Sequence, residues 1–205
     1  MALLSLALPM AAWANSNTII FQNSGGKVSV GGTNAQPTLR LTTSVLTSFT
    51  GLNGNTFNGT LGTVNLATGA LTGGSLATSG TFAAGGSFTI RGNGANGMAN
   101  GVLFSGTFSG PVSWVGSFNP AGNHGLGAWT YVLSGSVTGT LSNGVSAQGG
   151  VAQFTFDVPQ GQQFSKSVRL NQGITSVTVP EPGTLGLLGT GLFALAGVVR
   201  RRLTI

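Results

Sequence analysis

The sequence predicts an all-β body, folded as an antiparallel sandwich or a barrel-like meander, with a short apolar leader before it and a C-terminal transmembrane helix after it. Three observations carry that prediction. From about Asn15 to Thr178 short runs alternate apolar and polar residues between Gly- and Asn-rich breaks, as strands do when they bury one face. The same stretch lacks the sustained Glu, Lys and Leu-Ala windows that a helix needs. Gly183 to Val199, by contrast, is apolar without a single charge, and as a helix it would reach ~25 Å, close to the hydrocarbon thickness of a bilayer.

Residues 1–14 read as a secretory signal. The Leu- and Ala-rich run closes on Ala12-Trp13-Ala14, an A-x-A pattern that places cleavage at Ala12 and Ala14, just before Asn15. The positively charged lead-in of such a signal is missing, so either the true start lies upstream, the preferred reading, or the signal is a weak one.

Residues 15–178 are one Gly/Thr/Ser-rich domain. Period-two alternation is clearest at Val112, Trp114 and Phe118, at Trp129, Tyr131 and Leu133, and at Phe154, Phe156 and Val158. Turns fall at Gly92 to Gly97, Asn119 to Gly125 and Ser142 to Gly144, where Gly and Asn tolerate positive φ. Ser75 to Gly92 aligns with Gly101 to Phe118, each copy carrying Ser-Gly-Thr-Phe, and Val132 to Val137 echoes it. The unit is about one hairpin long, and so few imperfect copies favour a meander over a stacked solenoid. Gly51 to Gly74, poorest in bulky residues, reads as a looser edge or a long loop with strand fragments.

Composition excludes several chemistries. Cysteine is absent, so neither a disulfide framework nor a thiolate metal site is available. The body sets Lys27, Arg40, Arg91, Lys166 and Arg169 against Asp157, scattered without a basic stripe, which argues against nucleic acid as a partner. With one acid and one histidine in the body, paired carboxylates for glycoside hydrolysis and a full metal-ligand set are both out of reach, so neither an enzyme nor a cofactor is expected. A Ser-His-Asp triad through His124 and Asp157 is arithmetically open, but no elbow motif marks a serine. Asn58-Gly59-Thr60 matches a glycosylation acceptor that arises easily by chance in such a composition.

Trp114, Trp129 and Tyr131 fall within one short stretch and leave two readings. As residues of alternating apolar strands they fill the core, which is the preferred reading; as an exposed row they would form a sugar-stacking face.

Residues 179–205 form the tail. Pro180-Glu181-Pro182 excludes helix, the apolar run 183–199 can span a membrane, and Arg200, Arg201 and Arg202 hold its end on the cytoplasmic side, leaving the body outside. This order of triplet, short span and terminal basic cluster resembles the PEP-CTERM sorting tail, over Val179 to Arg202. The resemblance implies cleavage by the membrane protease exosortase and a Gram-negative bacterium that makes extracellular polysaccharide. It further implies anchoring in the inner membrane before processing, then a place at the cell surface or outside, in biofilm or floc material. The expected role is that of an exported non-enzymatic surface or matrix protein that touches exopolysaccharide. The alternative is a carbohydrate-binding module with a defined aromatic site.

Overall fold

The computed structural model describes residues 17–179 except 53, 122–126 and 160–161. The leader with Ala12 and Ala14, His124 and most of the Asn119 to Gly125 connection, and the whole tail from Pro180 lie outside the described residues. Thr18–Val179 forms one compact unit.

Strand Asn17–Ser24 (β1) and strand Lys27–Thr33 (β2) are two halves of one arm. Both run antiparallel to Gln36–Thr50 (β3), with Ile20 opposite Thr50, Lys27 opposite Thr42 and Thr33 opposite Gln36 across a two-residue turn. The break between the halves is Gly25 and Gly26, at φ 65° and 79°. A Cβ on Gly26 would stand 2.6 Å from the Ser44 amide nitrogen, so only glycine lets β3 come this close.

The chain continues through Thr56–Ala67 (β4), Leu71–Gly74 (β5), Ser79–Phe82 (β6), Gly85–Asn93 (β7) and Asn100–Phe108 (β8). It then runs through Val112–Asn119 (β9), Ala128–Leu141 (β10), Ser146–Pro159 (β11) and Ser167–Val179 (β12). Eight strands close a ring in the order β2, β3, β4, β7, β8, β10, β11, β12, every neighbouring pair antiparallel. The seam is β12 on β2, where Ser167 faces Ser29, Val168 faces Val28 and Arg169 faces Lys27. Between the two predicted architectures, then, the protein takes the closed barrel, which removes the edges that a sandwich leaves. β9, β6 and β5 leave the ring as a small branch sheet, with β9 on the first half of β10 and β8 on its second half.

Two sequence expectations are corrected. Gly51 to Gly74 is no loose edge, because it contains β4, a full member of the ring between β3 and β7. Leu61, Val64 and Leu66 are its buried side chains, Phe57 packs against the core at its start, and its small residues permit crowding: a Cβ on Gly62 would lie 1.8 Å from the Arg91 carbonyl oxygen. The repeated unit is no hairpin either. Its two strands, β6 and β7 in the first copy and β8 and β9 in the second, do not pair with each other; one strand of each copy lies in the ring and the other in the branch sheet. Each copy is an arch, and the Phe of Ser-Gly-Thr-Phe, Phe82 or Phe108, is buried at its corner.

The barrel is filled, not hollow. Phe88 meets Phe104, Phe108 and Phe154 at ring-centroid distances of 5.9, 6.0 and 6.1 Å, and Leu39, Leu41 and Leu46 of β3 are fully buried. Interlocked rings of this size leave the barrel axis to side chains.

Candidate functional site

The aromatic trio sits where the branch sheet leaves the barrel. Trp114 on β9 and Tyr131 on β10 are both 0% exposed and stack at 4.8 Å with their planes 14° apart. Gly116, opposite Tyr131, gives the ring its room, since a Cβ there would come within 2.6 Å of Tyr131 Cε1. Trp129 stacks on the other side of Tyr131 at 5.8 Å, and Phe118 leans on Trp129 at 5.4 Å. The stack thus runs from a sealed interior outward, to a half-buried Trp129 and a 47% exposed Phe118. Trp114 and Tyr131 offer no ring face to solvent, so the three do not form one exposed row.

Hydrogen bonds from this stack pin two connections over it. Trp114 Nε1 donates to the Leu76 carbonyl at 2.9 Å, and Tyr131 Oη donates to the Ala77 carbonyl at 2.6 Å while accepting from the Phe164 amide at 2.9 Å. Phe164 then closes edge-on against Trp114 at 5.3 Å. Burial pushes the Tyr131 phenol above its ordinary pKa, and the bond from the Phe164 backbone opposes that rise. Nothing in the polar run Gln160 to Lys166 marks Phe164 as core in the sequence, since it stands alone without periodicity.

Outside the barrel, the wall made by β9, β10, β11 and β12 carries hydroxyl and amide groups. Ser113, Ser134, Gln153 and Ile174 form one cross-strand row; Val115, Val132, Thr155 and Gln172 form the next. A shallow hollow of 160 Å³ lies among Gln153, Thr155, Gln172 and Ile174. Asp157 is exposed on the same wall, where Thr130 Oγ1 donates to one oxygen at 2.7 Å and Asn171 Nδ2 donates to the other. His124, its suggested triad partner, falls outside the described residues. Asn58 is exposed on β4, beside Gly59.

The tail supplies the decisive comparison. Residues 178–202 match the PEP-CTERM protein-sorting motif. That interval takes in Pro180, Glu181 and Pro182, the apolar run 183–199 and Arg200 to Arg202. The motif implies processing by exosortase, a membrane protein, and hence an exported chain anchored in the membrane before it is processed. Comparison with curated proteins and with solved structures gives no match. Among the described residues no helix is long and apolar enough to cross a membrane, and the proposed span 183–199 lies beyond them.

Proposed function

We propose that the chain is an exported, non-enzymatic surface or matrix protein whose barrel contacts extracellular polysaccharide once exosortase has acted on the tail. The observation that carries this reading is the sorting motif at 178–202. A secretory leader ending at Ala12 and Ala14 delivers the body across the inner membrane. The helix 183–199 holds it there, and Arg200 to Arg202 keep the end of that helix inside. The wall of the barrel supports the second half of the reading. Its two rows set Ser, Thr and Gln among Val115, Val132 and Ile174 and carry no charge, so they offer scattered donors and acceptors suited to weak contacts that add up along a polymer. Glycosylation of Asn58 belongs to the same setting and rests only on the acceptor triplet.

A second reading, a carbohydrate-binding module with a defined site, is favoured by the outer end of the aromatic stack. Phe118 and Trp129 meet at 5.4 Å with Phe118 open to solvent, and one sugar ring could lie on such a pair. A glycan array separates the two, since one dominant sugar is expected of a module and a shallow spread of a matrix protein. The main reading is tested in cells. Protein released from wild-type cells should sediment with the polysaccharide fraction and turn up free in the medium when polymer synthesis is blocked. Release that ignores the polymer in both cases contradicts it.

A further inference from the structure

Cations that are far apart in the sequence meet at the barrel seam. The register of β12 on β2 sets Arg169 directly opposite Lys27, and both are exposed. Directly opposed residues of an antiparallel pair share a face with their Cβ atoms roughly 5 Å apart, and like charges in that arrangement cost stability. Lys166 stands just before β12, where its carbonyl accepts from the Val30 amide at 3.0 Å. Asp157 is the one carboxylate among the described residues, and it adjoins this seam, but its two oxygens are taken by Thr130 and Asn171 instead of by a cation.

The backbone under this pair is also unusual. An open depression of 960 Å³ is lined by Gly25, Gly26, Lys27, Thr43, Arg169 and Asn171, among others. Gly25 and Gly26 take positive φ, and so does Thr43 at 53°, a conformation that a β-branched residue adopts only under constraint. Asn65 Oδ1 accepts from the Thr43 amide at 2.9 Å and holds it there. Backbone strain and unneutralised positive charge therefore coincide at one place on the surface.

We propose that this depression, with Lys27 and Arg169 side by side on its wall, binds a carboxylate-bearing extracellular polysaccharide. The proposal rests on the extracellular, polysaccharide-facing role given above and names the chemistry of the polymer. An exposed cation contributes little to binding alone, whereas a polymer with a carboxylate on repeated units engages the pair together and stays near after one contact breaks. Arg169 also offers the planar fork that matches a carboxylate. An anionic lipid surface offers the competing negative charge, and the vesicle arm of the test separates it from the polymer.

Mature protein released from cells, which lacks the apolar tail, is tested in detergent-free buffer for retention on polygalacturonate, on dextran and on vesicles containing phosphatidylglycerol. The wild type should be retained on polygalacturonate, released by added salt, and hold dextran and vesicles weakly. Lys27→Gln with Arg169→Gln should weaken polygalacturonate binding about tenfold, the scale of two exposed charge contacts acting together. Its melting temperature without polymer should be equal or higher, because an opposed pair of like charges has gone. Arg91→Gln, which removes one charge from β7, should leave binding unchanged. The proposal is overturned if the double variant binds as the wild type does, if Arg91→Gln costs as much, or if vesicles are preferred. Equal retention on dextran and polygalacturonate, untouched by the substitutions, removes this site and leaves the polysaccharide role standing. No retention on either polymer removes both.

Discussion

Tyr131 ties β10 to two connections and to the aromatic stack. Its ring lies between Trp114 and Trp129, and its hydroxyl joins Ala77 to Phe164. Tyr131→Phe keeps the ring and strands two backbone groups, which should cost about 1–3 kcal/mol in chemical denaturation. Trp114→Ala should cost about 3–5 kcal/mol by opening a cavity in a sealed cluster. Trp129→Ala, from a half-buried position, should cost clearly less, and equal losses would contradict the gradient of burial along the stack. The phenol also sets a pH dependence. Because its pKa is raised in the folded protein, the stability it brings is whole below the ordinary tyrosine pKa and declines as pH rises through the folded value. Denaturation midpoints taken from neutral pH upward should therefore fall on the alkaline side, and Tyr131→Phe should flatten that fall. The sequence placed the ring in an alternating strand, but nothing local revealed its two backbone partners, which come from distant connections.

Among elements, the strands that could be read were those with bulky alternating residues. Trp114, Tyr131, Leu133, Phe154 and Phe156 are all buried as their spacing implies, and the turns at Gly92 to Gly97 and Ser142 to Gly144 separate β7 from β8 and β10 from β11. β4 was illegible because Phe57 and three aliphatic residues are spread among glycines, threonines and asparagines, and its place is set by neighbours that close on it from both sides. The arches were half legible. The repeat of Ser-Gly-Thr-Phe marked two corners, but pairing is decided by partners far along the chain, so the aligned strands β6 and β8 end in different sheets and a hairpin and an arch look alike in sequence. Burial at both corners makes a prediction: Phe82→Ala and Phe108→Ala should each destabilise by about 3–5 kcal/mol, since both rings are buried where the chain passes between the branch sheet and the ring. A loss at one corner only, seen in thermal melts of the two variants, would show that one of the two rings does not hold its corner. The meeting of Lys27 and Arg169 was hidden for the same reason, because it depends on the one seam that closes the ring.

At the scale of the whole molecule, a closed and filled barrel is joined to a tail whose three parts have separable physical jobs. On the proposed reading the apolar run would partition into lipid, the arginines would resist passage through it, and the Pro-Glu-Pro triplet would keep an extended backbone at the outer face because proline fixes φ and disfavours helix in the residue before it. Substituting Arg200, Arg201 and Arg202 with Ser should let the tail slip through, so that protein leaves the membrane without correct processing. Substituting Pro180, Glu181 and Pro182 with Ala should do the opposite and leave uncut protein in the inner membrane. The tail was the most legible part of the sequence because its meaning is linear, needing no distant partner to complete it. The measurement that tests the central claim most directly is mass spectrometry of the C-terminal residue of mature protein from fractionated cells. The account predicts extracellular protein without residues 183–205 from wild-type cells, and retained full-length protein when the triplet is replaced. Release of the triplet variant at the wild-type level with the same C-terminus, or extracellular protein still carrying Arg200 to Arg202, would contradict it.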